Sequence, residues 1–260
     1  MAHRGALFDR LLVGVFLLVA WQMASFLAGA YWIPSPWQTA QAAAHLLATG
    51  ELTTNAAYTL QEALYGFLLG GIPGLVLPFL LRRSPIIMGV IEPYLVAGYG
   101  LPKLALTPLF LVWFGIGMGS KIAIVTAITF FIIFFNVWAG VKALDLRLVR
   151  MAQVLGASEG QVARKIIWPG SIPYIFVGLR TATPYAIGGA VIAELVSSNR
   201  GLGYLVQLHA MSFDSKGMFA VLAVITLIVV VVMTIMNALE AHLLRWRPRV
   251  GFSAGSQSDA

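Results

Sequence analysis

Along this chain, long apolar runs alternate with short polar or proline-punctuated intervals, and six of the runs are long enough to cross a bilayer as helices. The first, residues 11–27, follows Arg4 and Arg10; it exceeds the roughly 7 to 15 residues of a signal-peptide core and reads as an uncleaved span. Trp21 falls in its middle, and Tyr31 and Trp32 read as an interfacial anchor. Residues 37–47 are helix-forming but weakly apolar, which predicts a helix on the outer surface with an exposed His45. The second span, 55–81, repeats Gly66, Gly70 and Gly74 at four-residue steps, a pattern that lets helices approach closely in lipid. Pro73 and Pro78 are expected to kink it. A third stretch, 85–114, is interrupted by Pro93, Pro102 and Pro108, and irregular backbone at that depth survives where it is buried in protein or lines a wet cavity. The fourth span, 122–141, is rich in phenylalanine; the fifth, 172–196, contains Arg180 and Glu194; the sixth, 218–244, is aliphatic and expected to face lipid.

The longest polar interval, 145–173, keeps helical periodicity: Val149, Ala152 and Leu155 recur at three-residue steps, and Val162 and Ile166 at four. Gly156 suits a helix C-terminus in the left-handed conformation. Ser158 with Gln161 makes a capping box for a second helix, Glu159 suits its positive end, and Pro169 is expected to stop it after Trp168. The prediction is helix, tight turn, helix.

Composition narrows the class. With 59% hydrophobic and 10% charged residues and a mean hydropathy of +0.86, the chain is far from the soluble norm of about 25% charged. It reads as an all-α integral membrane protein. Cysteine is absent, which excludes disulfides and thiolate chemistry. The net charge of +7 does not point to nucleic acid, because the basic residues gather at the ends of apolar runs. Of the 17 lysines and arginines, 12 fall on one side of the predicted topology and three (Lys121, Arg200, Lys216) on the other, with Lys103 and Arg180 inside the membrane. The positive-inside rule then puts both termini in the cytoplasm. Three regions follow: 1–54, a span and exterior segment; 55–244, a transmembrane core with a cytoplasmic loop at 143–170; and 245–260, where Arg245, Arg247 and Arg249 end the last span before a polar tail expected to be disordered. Gly115–Lys121 (GIGMGSK) lacks the spacing of a phosphate-binding loop and reads as an exterior turn. His3, His45, His209 and His242 are scattered and no HExxH occurs, so neither a metal site nor catalysis is expected.

The run Arg150-Met151-Ala152, three residues, Gly156, nine residues, Ile166, Ile167, Trp168-Pro169 resembles the signature of binding-protein-dependent ABC-transporter permeases: Glu-Ala-Ala, three residues, Gly, nine residues, Ile, any residue, Leu-Pro. Arg150 replaces the acid and Trp168 the leucine, so Ala152, Gly156, Ile166 and Pro169 carry the match. LPKLALTPLFLVWFGIG resembles the branch that imports nitrate, taurine and other sulfonates, and SNRGLGYL resembles that family's exterior loop. The resemblance implies a type I importer permease fold in the bacterial inner membrane. It implies a homodimer, two ATP-binding cassette ATPase subunits and a periplasmic or extracellular solute-binding protein as partners, with lipid around them. No cofactor is implied, ATP being bound by the partner chain. The loop would be the coupling helix, with Ala152, Gly156, Ala157, Ser158 and Glu159 at the ATPase and Pro169 closing the motif. A small anion such as a sulfonate, taurine or nitrate would be the solute.

Charged and amide side chains inside the membrane are expensive and mark sites by default, which makes Glu92, Lys103, Asn136, Arg180 and Glu194 pathway candidates. Internal salt bridges for Arg180 and Glu194, and helix-to-helix bonding for Asn136, stand beside that reading. A second class of function is a secondary transporter with Glu92, Arg180 and Glu194 as a charge relay; such folds usually carry inverted repeats, and none is evident here.

Overall fold

How closely the long helices approach is set by residues that lack a side chain. In the computed structural model, which describes residues 2–244, every described element is helical: α1 (Ala2–Ala28), α2 (Pro36–Ala48), α3 (Glu51–Leu81), α4 (Pro85–Gly100), a 3₁₀ turn (Lys103–Leu106), α5 (Thr107–Phe114), α6 (Met118–Lys142), α7 (Leu146–Val154), α8 (Glu159–Val162), a π turn (Ala163–Ile167), α9 (Trp168–Val196), α10 (Leu202–Met211) and α11 (Ser215–Leu243). The terminal arginines Arg245, Arg247 and Arg249 and the tail lie outside the described residues. Five helices are long and apolar enough to span a membrane, and the bent pair of 85–100 and 103–114 makes a sixth.

α3, α6 and α9 form the centre. Gly66 faces the Val125 side chain, Gly70 faces the Thr126 carbonyl and the Thr129 hydroxyl, and a Cβ on Gly74 would stand 2.8 Å from the Phe130 carbonyl. The glycine stripe therefore brings α3 against the backbone of α6, as its spacing predicts. Thr129 adds a polar stitch, its hydroxyl lying 2.8 Å from the Val125 carbonyl and 3.2 Å from that of Gly66. Ile133, Val137, Ile175 and Ala182 then fill the seam between α6 and α9. Pro73 and Pro78 both lie inside the unbroken α3.

The third stretch is broken as expected, with its two halves meeting at 83°. Pro102 forces the break: Leu101 before it is extended (φ −62°, ψ 133°), the conformation a following proline imposes. Met88 of α4 packs on Phe134 and Trp138, so the phenylalanines of α6 serve as packing surface for this arm.

At the far end of α9, Leu46, Leu52, Leu202, Leu205, Ala220 and Val221 form a separate core joining α2, α3, α10 and α11. α2 keeps most of its residues at least partly exposed, as a surface helix would, and packs Thr39 and Leu46 in or beside that core; its first turn is fixed by a capping box between Ser35 and Gln38. His45 is exposed. Among its described side chains α1 stands largely bare; Trp21, in the middle of the apolar span Leu11–Ala28 as expected, donates its indole N–H to the Pro34 carbonyl at 3.0 Å and rests against Phe219.

Candidate coupling loop and solute cavity

The polar loop is built almost wholly from local hydrogen bonds. Asp145 caps α7, accepting the Arg147 N–H at 2.8 Å. At the other end Gly156 takes φ +85°, its N–H reaching the Gln153 carbonyl at 2.9 Å and that of Ala157 the Ala152 carbonyl at 3.0 Å. This paired 5→2 and 6→1 arrangement is the Schellman motif, which satisfies carbonyls that a helix end otherwise leaves orphaned. One residue later the expected capping box forms: Gln161 N–H to Ser158 Oγ at 3.3 Å and Ser158 N–H to Gln161 Oε1 at 2.8 Å. The two short helices are thereby locked corner to corner, around a cleft of about 300 Å³ that Ala152, Gly156, Ala157 and Val162 help to line. Val162 turns inward, while Leu148, Met151, Val154 (87% exposed) and Leu155 (77% exposed) present an apolar face with no cover. Glu159 ties the loop back to the end of α3 through Arg82 at 3.8 Å.

Pro169 does not end the second helix, contrary to expectation. α8 passes through the π turn, in which the Trp168 N–H reaches the Ala163 carbonyl, and continues as α9 with Pro169 in its first turn. A proline in a first turn forgoes only a donor that is orphaned anyway, and a single wide turn is one way a helix admits the ring. The consequence is mechanical: loop and membrane helix are one continuous rod.

The broken arm and the central helices enclose a cavity of about 400 Å³, lined by Tyr99, Lys103, Ile128, Ile132, Asn136, Thr181 and Tyr185 among others. Two of the five predicted pathway residues, Lys103 and Asn136, thus meet in one place. Lys103 Nζ sits 5.0 Å over the Tyr99 ring and 4.8 Å over that of Phe131, and donates to the Tyr99 carbonyl; no carboxylate among the described residues lies within ion-pair distance of it. Asn136 bonds within its own helix, to the Ile132 carbonyl at 2.8 Å, and not across to a neighbour.

The other three candidates lie elsewhere. Glu92 pairs with Lys142 at 3.1 Å on an exposed face, and Arg180 pairs with Glu240 of α11 at 3.5 Å. Glu194 is fully enclosed and lines no part of the cavity. Among the described residues no cluster of three or more His, Cys, Asp or Glu could hold a metal.

Residues 66–247 match the family described as the inner membrane component of binding-protein-dependent transport systems. The chain belongs to that family. It is 30% identical over 236 residues to the formylaminopyrimidine transport permease protein of Halalkalibacterium halodurans, covering 90% of this chain and 94% of the relative. Identity to the taurine transport system permease protein of Escherichia coli K12 is 33% over 188 residues, 72% of this chain and 67% of the relative. A chain from the inward-facing MetNI methionine ABC transporter shares the fold, with a TM-score of 0.57 at 18% identity over 88% of this chain and 98% of that one. The protein is the permease component of an ABC importer, a multi-pass protein of the inner membrane.

Within this permease the structure also reveals a buried polar cluster that sequence reasoning missed. Lys121, expected in an exterior turn, lies in the first turns of α6 at 1% exposure and donates to the Ile116 and Ser197 carbonyls. Glu62 of α3, 4% exposed, sits beside it and Glu194. A glutamate in the middle of an apolar helix is itself a signal of a partner nearby, and Glu62 could have been found that way.

Proposed function

We propose that this permease works as a homodimer, with both termini in the cytoplasm, above two ATP-binding cassette subunits and beneath a solute-binding protein. The observation that carries this is the loop: a turn fixed by the Schellman bonds at Gly156 and the capping box at Ser158, holding Leu148, Met151, Val154 and Leu155 bare. Uncovered apolar side chains on a polar loop beside Arg147, Arg150, Arg164 and Lys165 suit a protein groove better than water. ATP is held and hydrolysed by the partner, and the chain needs no cofactor of its own. Closure of the two ATPases draws the loops together, and the continuous α8–α9 rod turns that movement into rocking of the membrane helices between inward-open and outward-open.

The solute is a small anion. Lys103, with no acidic partner among the described residues, shares the cavity wall with Tyr99, Asn136, Thr181 and Tyr185, and a cation so placed favours negative charge. The taurine permease relative supports a sulfonate. In proteoliposomes holding permease, ATPase and binding protein, uptake is expected to require ATP and to survive a proton uncoupler. Uptake that proceeds without ATP and collapses with the uncoupler would overturn the reading in favour of a gradient-driven transporter.

A further inference from the structure

α9 joins two distant places: its first residues continue the coupling loop, and its last turn carries Glu194, which reaches the start of α10. At 1.5 Å per residue the 29 residues of α9 span about 44 Å, so the loop and α10 lie at opposite ends of one rod.

The start of α10 is held in an unusual way. A helix leaves its first amides without partners, and here side chains from other elements take three in succession. The Gly201 N–H donates to Asn55 Oδ1 at 2.7 Å, the Leu202 N–H to Thr59 Oγ1 at 2.8 Å, and the Gly203 N–H to Glu194 Oε2 at 2.7 Å. Thr59 closes the set by donating its hydroxyl to Glu194 Oε1 at 2.7 Å. Lys121 binds the carbonyl of Ser197, just past the end of α9, so the N-terminal turns of α6 join the same knot. Glu194, Thr59, Lys121, Leu202 and Gly203 are all buried, so water offers none of these groups a substitute partner.

We propose that this junction, with Thr59 at its centre, is the positioning element that makes α10 and the coupling loop move as one body, so that an exterior partner pressing on α10 alters ATP turnover at the other end. Thr59 touches neither solute cavity nor loop; it acts by fixing where Glu194 and α10 stand. This inference rests on the importer reading, in which α10 is exterior and the loop cytoplasmic.

The test uses the complete complex of permease, ATPase and binding protein in nanodiscs, measuring ATP hydrolysis with and without the binding protein. Thr59→Val keeps the side chain's shape and removes its hydroxyl; Thr59→Ser keeps the hydroxyl. The expected result is basal hydrolysis within about twofold of the parent for Thr59→Val, a stimulation ratio lowered about fivefold by the loss of its buried hydrogen bonds, and recovery of the ratio in Thr59→Ser. A Thr59→Val complex with an unchanged ratio, or with both rates lowered in proportion, overturns the proposal. If Thr59→Val does not assemble, Asn55→Ala decides in the same assay: a lowered ratio supports the junction and an unchanged one refutes it. Failure of the importer reading is distinguishable, since the unmodified permease would then bind no ATPase or show no stimulation, and the inference would fall with it.

Discussion

Replacing Gly156 by valine isolates the backbone conformation of the proposed coupling turn from everything else in the molecule. A Cβ at this position meets nothing within 4 Å, so the substitution introduces no collision. What it introduces is strain: Gly156 stands at φ +85°, and an L residue in the left-handed region costs roughly 1–2 kcal/mol, with a β-branched side chain at the upper end. If the turn relaxes to a negative φ, the Gly156–Gln153 and Ala157–Ala152 bonds are lost instead, at about 1 kcal/mol each. On either route the native turn loses about 1–2 kcal/mol, a factor of about 5–30 in its population against alternatives. The loop contributes little to the central helix packing, so membrane insertion and expression should match the parent. ATP-driven uptake in proteoliposomes should fall about fivefold or more, in line with that population. Asparagine tolerates the left-handed region, so Gly156→Asn should retain about half of the parent's uptake. Parent-level uptake by Gly156→Val, or Gly156→Asn as impaired as valine, would refute the argument that the turn's conformation is what matters.

Other perturbations separate the remaining parts. Gly70→Val would drive a side chain into the Thr126 carbonyl and Thr129, where backbone cannot yield; destabilisation of about 3 kcal/mol or more is expected, seen as loss of the monodisperse peak in detergent, and normal thermal stability would contradict the close packing. Lys103→Gln should reduce uptake of an anionic solute about tenfold while leaving ATP hydrolysis stimulated by the binding protein; equal loss of both would move Lys103 from the cavity to the framework. The Arg180–Glu240 pair is 45% and 22% exposed at its side chains, so a double-mutant cycle with leucine should give a coupling energy of about 1 kcal/mol or less by thermal unfolding, and a value several times larger would mean a dry, load-carrying pair.

The geometry of the turn at Gly156 was legible from sequence because its interactions are local: Gly156, Ser158 and Gln161 find their partners within six residues, and residue type alone specifies the motif. The glycine stripe of α3 and the break at Pro102 were equally plain, each being a steric property of the residue itself. Pro169 misled because the rule that proline ends a helix takes no account of a π turn next to it, which lets the same residue start the next segment. Lys121 misled for a different reason. Its neighbours Gly115, Gly117 and Gly119 look like a loop, and only tertiary structure brings Ser197, 76 residues away, to receive its ammonium group. Thr59 and Glu194, 135 residues apart, have no local signature that links them. The pairing of Arg180 with Glu240 stayed similarly hidden, although the cost of a charge at membrane depth predicted some partner.

In the proposed importer an ATPase engages the loop around Gly156. Co-purification in detergent with an ATP-binding cassette subunit encoded near this gene, for the parent and for Ala157→Asp, tests it most directly. Ala157 is half-buried between the two short helices, and a carboxylate there would place a charge at the proposed contact without touching the membrane helices. The expected result is a stable complex with ATP hydrolysis for the parent and a complex that dissociates or falls silent for Ala157→Asp. A parent that binds no such subunit, or an Ala157→Asp complex as stable and active as the parent, would contradict it.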